Sequence, residues 1–305
     1  MGIDYTSGMR KDAVQQDPFK SVSIIGLGLL GTSLGLALKQ RQLVEKVIGV
    51  GRAGSPSPQI ALNRGAIDEL MTSPAAAAQS DLVVLATNIG VFPDIFRAIG
   101  RELAEHTIIT DVGSTKRQVC RWARELLPGS ARFVGSHPMA GSEKRGPEFA
   151  RADLYSNAVC FICAGKAGRM VVAAERVEWM WQQVGMRTLR INPQAHDQWV
   201  AAISHTPHAA AAALVNLIQA DAANLLRAAA GGFMDTTRVA SGDVEMWTDI
   251  FVTNRLAAGK SIRSLVRLLQ GFERAVRHGD HSTVRQFLQQ AKTIRDQLPQ
   301  RQGTG

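Results

Sequence analysis

Apolar residues fall in two kinds of run along this chain, and the change between them divides it. Up to residue 191, short, mainly apolar stretches recur at 22–25, 47–50, 81–86, 107–111, 131–135, 157–163 and 188–191. Runs of that length that do not alternate with polar residues predict strands of a parallel sheet covered on both faces. Helical spacing appears between them, over 94–103 and 175–184. From residue 192 the β-branched runs stop and alanine becomes common, as in 209–213. Asn192 and Pro193 suit an N-cap and a first helical residue. Residues 246–278 read as one long helix, with Ile250, Leu256, Ile262, Leu265, Leu269 and Phe272 among its apolar positions. Gly279 suits its end, and Asp280 suits the cap of a last helix over 282–298. Together with the glycine turn Gly26-Leu27-Gly28-Leu29-Leu30-Gly31 after the first strand, the pattern predicts an α/β N-terminal Rossmann-like dinucleotide-binding domain, residues 21–191. An all-helical dimerisation domain follows over residues 192–305, and a disordered extension, residues 1–20, comes first. A helical half this apolar calls for a partner surface, so a homodimer is expected.

The first strand runs straight into Gly26-Leu27-Gly28-Leu29-Leu30-Gly31, and a helical pattern follows through Leu34 and Leu38. Strand, glycine turn and helix in that order make a dinucleotide-binding unit. Gly26 permits the tight turn, Gly28 lets backbone approach a pyrophosphate, and Gly31 lets helix pack on strand. An anion then meets the free N–H groups of Leu29, Leu30 and Gly31 at the helix start. In NAD-preferring sites an acid commonly ends the second strand and holds the ribose hydroxyls. Here Gly51-Arg52-Ala53-Gly54-Ser55 follows, without an acid. Arg52 and Ser55 can hold a 2′-phosphate instead, which favours NADP over NAD.

The composition is that of a soluble globular chain, and no apolar run reaches the length of a membrane span. The first twenty residues lack the apolar core of a secretory signal. Cys120, Cys160 and Cys163 form no disulfide framework, which fits a reducing cytoplasm. Cys160 and Cys163 lie three apart on a predicted strand, so they point to opposite faces and make a poor metal or redox pair. No metal site is expected. The net charge of +9 raises nucleic acid as a partner. The basic residues are scattered, however, and Arg263, Arg267, Arg274, Arg277 and Arg285 recur at helical spacing as a solvated face does. No nucleic-acid or membrane partner is expected. A basic chain also draws in a small anionic substrate.

Candidate chemistry gathers where strands end. Thr87 and Asn88 follow the 81–86 strand, at a place where a nicotinamide can lie. Ser114 sits between a strand and a helix, positioned to cap the helix or to face a cleft. The loop Ser136-His137-Pro138-Met139-Ala140-Gly141-Ser142-Glu143 leaves the carboxyl edge of the sheet, where α/β enzymes place chemistry.

The segments DVGSTKR (111–117), SHPMAGSEKRG (136–146), SHTPH (204–208) and GGFMDTTRVA (231–240) together resemble the prephenate and arogenate dehydrogenases of tyrosine biosynthesis. The resemblance runs from about Val22 to about Leu298. It implies oxidative decarboxylation of a cyclohexadienyl substrate with hydride transfer to NAD(P), giving 4-hydroxyphenylpyruvate or tyrosine. By their places in these motifs, His137 resembles the catalytic histidine and Ser114 the serine near the substrate hydroxyl. Arg238 resembles the carboxylate-binding arginine, and His208 a substrate-pocket histidine. His205, one turn before it, either shares that face or supports the fold. Ser142 and Glu143 are further candidates for the pocket wall, and Glu143 is a candidate to hold Arg238 before substrate arrives.

One feature departs from the family pattern: Asn88 follows Thr87 where a proline is common soon after. Two other readings compete. A β-hydroxyacid dehydrogenase or imine reductase would usually carry its acid–base group on the helical domain, not in a loop like 136–143. A non-catalytic nucleotide sensor could keep the glycines, but it would have no need of His137 and Arg238.

Overall fold

The chain, described here from a computed structural model covering residues 16–141, 144–165 and 168–298, begins with β1 (Phe19–Ile25). Then come α1 (Leu29–Gln40), β2 (Val44–Val50), α2 (Ser57–Asn63) and the short β3 (Glu69–Met71). Next in order are β4 (Leu82–Leu85), α3 (Phe92–Gly100), β5 (Ile108–Asp111) and α4 (Arg117–Leu126). β6 (Arg132–Pro138), β7 (Val159–Cys163), α5 (Arg169–Gln183) and β8 (Arg187–Arg190) complete an eight-stranded sheet of order β3-β2-β1-β4-β5-β6-β7-β8. Every pairing is parallel except β6 with β7.

The apolar runs are explained by two cores, one on each face of the sheet. On β4, Leu82 and Val84 point into a core with Ile24, Leu34, Leu38, Val177 and Trp181. Val83 and Leu85 point into the other, with Phe92, Phe96, Ile99 and Val119. A strand buried on both sides has no polar face to alternate. Helix α3 shows the complementary pattern: Phe92, Ile95, Phe96 and Ile99 form one apolar stripe at helical spacing.

The second half is helical. α6 (Pro193–Val200) passes through a π turn (Ala201–His205) into α7 (Thr206–Leu217), followed by α8 (Ala222–Leu225) and α9 (Gly231–Thr237). α10 (Val244–Thr253), α11 (Arg255–Arg277) and α12 (His281–Arg295) follow. The Asn192 side chain caps α6 by accepting from the Ala195 N–H at 2.9 Å, and Asp280 caps α12 through the Thr283 N–H at 3.0 Å. Gly279 takes φ +63°, the left-handed conformation that ends a helix.

Several sequence expectations change. β1 begins at Phe19, so residues 19 and 20 belong to the sheet, and Gln16 hydrogen-bonds Arg176 at 3.0 Å. The rest of the expected extension, residues 1–15, lies outside the described residues. The expected helix over 246–278 is two helices divided at Asn254. The Asn254 side chain turns inward to the Asp197 carbonyl and the His205 ring, a tertiary demand that helical spacing does not reveal. β6 continues through Pro138, so His137 stands on a strand and not in a loop. Contrary to the expectation that no run reaches a membrane span, the helical run Pro193–Ala228 is long enough, and an 18-residue stretch of it, 6% buried, is apolar enough at a mean hydropathy of 1.4. Alanine supplies much of that hydropathy, while His196, Asp197, His205 and His208 on the same run are buried within the fold. Cys160 and Cys163 are buried, and burial pushes the Cys163 thiol far above its ordinary value.

Candidate active site

The order of the strands decides where a site can form. β1 and β4 are neighbours at the point where chain order reverses, and ligands of open α/β sheets bind beyond the carboxyl ends of strands at such a point. The glycine turn lies there. Gly26 has φ +104°, and a Cβ on it would stand 2.6 Å from the Ala86 carbonyl oxygen and 2.7 Å from the Thr87 methyl. Gly31 abuts the turn itself, since a Cβ would meet the Gly26 oxygen at 2.0 Å. Gly28 differs: a Cβ there would meet nothing within 4 Å. The two outer glycines are thus demanded by packing, and the middle one borders open space.

Helix α1 starts at that space with no side-chain cap and no acid in its first turn. Its leading N–H groups, from Leu29 on, stay available to an anion. Open backbone beside an uncapped helix start fits a pyrophosphate. Thr87 is half-buried beside Gly26, and Asn88 is exposed. Arg52 is exposed just past β2, in a turn closed by the Ser55 N–H to the Arg52 carbonyl at 3.2 Å.

At the same edge of the sheet, Asp111 ends β5 and organises what surrounds it. Its buried carboxylate accepts from the Gly113 N–H at 2.9 Å and the Ser136 N–H at 3.1 Å, and it pairs with the buried Lys116 ammonium. Burial raises the Asp111 carboxyl above its ordinary value, against the pull of Lys116 and the two backbone donors. One side chain therefore fixes the residue before Ser114 and the residue before His137. Ser114 is half-buried in the bend between β5 and α4. It does not cap α4, because Asp197 of the helical half accepts from the Lys116 N–H at 2.7 Å and the Arg117 N–H at 3.1 Å.

His137, near the end of β6, is 8% exposed. Its Nδ1 lies 2.9 Å from Nε2 of His196 on α6, whose Nδ1 lies 2.8 Å from Oδ1 of Asp197. Burial holds the His137 pKa well below the ordinary histidine value, and His196, Lys116 and His205 add to the depression. At neutral pH the ring is uncharged, the form that accepts a proton.

The helical half supplies the opposite wall. His208 stacks on Trp247, with ring centroids 3.6 Å apart and planes 12° from parallel. Its buried Nδ1 has no hydrogen-bond partner among the described residues. A buried orphan of this kind marks a place where a ligand group can be received. Burial lowers the His208 pKa, with the Val239 backbone opposing, and Val239 directly follows Arg238. Arg238 is exposed at the start of a short turn, Arg238–Ser241, and is engaged by other groups. His205 is a support. It is enclosed by Trp247 and Phe251, its Nδ1 accepts from Asn254 Nδ2 at 3.1 Å, and burial depresses its pKa to about 4. Ser142 and Glu143 lie outside the described residues.

Three further contacts have no local signal in the sequence, two across the halves and one within the helical half. The Asp249 carboxylate accepts from the Gly90 N–H at 2.9 Å, beside Asn88. Thr115 and Thr253 share a 2.9 Å hydroxyl contact, and Asn254 donates to the Asp197 carbonyl at 2.9 Å. His196 and Asp197 had one available signal. Both stand with Val200 and Ala201 among the buried positions of the helix, so they are polar residues on an otherwise apolar stripe.

Residues 34–189 match the family described as prephenate dehydrogenase, nucleotide-binding domain, and residues 192–290 its dimerization domain. The prephenate dehydrogenase of Bacillus subtilis is 32% identical over 289 residues, covering 92% of this chain and 77% of that protein. The cyclohexadienyl dehydrogenase of Zymomonas mobilis is 30% identical over 248 residues, covering 77% and 81%. The crystal structure of prephenate dehydrogenase from Aquifex aeolicus with hydroxyphenyl propionate and NAD+ superposes with a TM-score of 0.85 at 28% identity, covering 94% of this chain and 100% of that one. That of Synechocystis arogenate dehydrogenase gives 0.75 at 27% identity, covering 90% and 99%. With both halves matched in order, the chain belongs to the prephenate dehydrogenase family.

Proposed function

We propose that the protein oxidatively decarboxylates prephenate or arogenate, giving 4-hydroxyphenylpyruvate or tyrosine. One observation carries this reading. An uncharged, nearly buried His137 stands at the same sheet edge as an open glycine turn and meets His196 of the helical half at 2.9 Å.

A nicotinamide dinucleotide held by the Gly26–Gly31 turn and the start of α1 would supply the acceptor for the hydride on the ring carbon that bears the hydroxyl. His137 takes the hydroxyl proton as that carbon becomes a carbonyl. Ser114, in the neighbouring bend, hydrogen-bonds the same oxygen and orients it. The bond from the opposite ring carbon to the carboxylate then breaks and carbon dioxide leaves. The electron pair makes the ring aromatic, and the resulting phenolate recovers the proton from His137. Atoms and charge balance with no other reactant. Arg238 anchors a substrate carboxylate, His208 contacts the side chain, and His205 holds the wall behind them. Ser142 and Glu143 stay candidates for substrate contact by their place in the 136–146 motif, and Glu143 a candidate counter-charge for Arg238.

The cofactor domain runs from β1, at Phe19, to residue 191, and the substrate and dimerisation domain follows from residue 192. Leu217, Leu225, Leu226, Met234 and Val252 are exposed apolar side chains on the helical half, which supports burial against a second copy. The absence of an acid after β2, together with Arg52 and Ser55, supports NADP as the preferred cofactor. We place the enzyme in the cytoplasm. Initial rates for prephenate and arogenate, each crossed with NAD and NADP, test both choices. Cofactor binding without turnover of either substrate would favour the sensor reading.

A further inference from the structure

We infer that Asp197 and His196 act as a positioning pair that locks His137 in its Nδ1–H tautomer, leaving the Nε2 lone pair to receive the substrate proton. The inference rests on His137 as the base of the proposed reaction and adds how that base is prepared.

The hydrogen-bond polarity runs from the carboxylate outward. Asp197 accepts two backbone N–H groups at the start of α4, a setting that suits a carboxylate. An ionised carboxylate only accepts. At 2.8 Å from Asp197 Oδ1, His196 Nδ1 must therefore donate. In a neutral imidazole the other nitrogen then carries the lone pair. His196 Nε2 accepts, so His137 Nδ1, 2.9 Å away, must donate. The remaining His137 nitrogen, Nε2, carries a lone pair, and no described residue hydrogen-bonds it.

The pair also answers an electrostatic difficulty. His137, once protonated, is a buried cation near Lys116, with His205 also close by. Asp111 is engaged by Lys116 and offsets that charge. Among the described residues Asp197 is the other nearby carboxylate, and it reaches His137 through the His196 ring. A carboxylate that orients a base and steadies its cation is the general logic of hydrolase triads. Here the relay crosses between domains, since His137 is on β6 and its supports are on α6. The base is therefore in its working tautomer only when the two halves are packed together.

The test is a long-range proton–nitrogen correlation spectrum of the full-length enzyme with labelled histidines, His137 being assigned by the signal that His137→Asn removes. Protonated Nδ1 and bare Nε2 on His137 are expected; protonated Nε2 would overturn the inference. Kinetics give a second arm. His196→Leu removes the acceptor while filling the space, and kcat should fall by about 10²-fold with substrate KM and cofactor Kd little changed. His196→Gln can accept from His137 and donate to Asp197, so it should restore most of that loss. Equal effects of Leu and Gln would mean that His196 only packs, and the inference would fail. If the wild-type enzyme turned over no cyclohexadienyl substrate, the proposed reaction would fail, while the spectrum would still decide the tautomer.

Discussion

Asp197 caps a helix to which it does not belong. Its carboxylate accepts the Lys116 N–H at 2.7 Å from 81 residues further along the chain. The same carboxylate orients His196, so one side chain joins the start of α4 to the histidine pair and ties the two halves together. Asp197→Ala should lower the unfolding free energy by about 2–4 kcal/mol, combining a lost cap with an orphaned imidazole. Urea titration would measure this as a lower midpoint at an unchanged slope.

The glycine turn gives opposite outcomes at two positions. Gly28→Ala should leave the melting temperature nearly unchanged, since the new methyl enters open space, but it should weaken cofactor binding about tenfold or more. Gly31→Ala would push a methyl into the Gly26 carbonyl, where backbone cannot give way, and should cost about 3 kcal/mol or more of stability. Thermal melts and cofactor titrations of the two variants separate the effects.

Arg238→Gln should mainly raise the substrate KM, by about tenfold or more, because it removes a charge-assisted ground-state anchor. A fall in kcat alone would contradict that role.

Burial also ties stability to pH. His137, His196 and His205 all have pKa values lowered on folding. An unfolded histidine takes up a proton near pH ~6.5, whereas these buried rings resist it. Stability is therefore fully present above about pH 6.5 and is lost as pH falls toward the folded values. For His205, whose folded value is about 4, the loss is of order 3 kcal/mol. Melting temperatures should be flat from about pH 8 to 6.5 and then fall, and His205→Gln should reduce the fall.

Local signals carried the strands, the glycine turn and the motif residues into view. The 81–86 run shows a doubly buried strand without any tertiary information, and Gly26, Gly28 and Gly31 announce the turn by spacing alone. Contacts between distant segments left no such trace. Nothing near Asn254 indicates that it breaks a helix to reach Asp197 and His205. The partnership of His137 with His196 exists only once β6 and α6 meet. β3 was missed because three residues are too few to show a period, whereas β7 was legible as the 157–163 run and only its antiparallel direction was not, because a buried run has the same pattern in either direction.

The most direct measurement compares wild type with His137→Asn, using prephenate or arogenate with NAD or NADP, while reduced cofactor, carbon dioxide and aromatic product are quantified together. Wild type should give all three in equal amounts. His137→Asn should bind cofactor normally and lose about 10²–10⁴-fold in kcat. Reduced cofactor without matching carbon dioxide and aromatic product, or full turnover by the variant, would contradict the proposed reaction and its base.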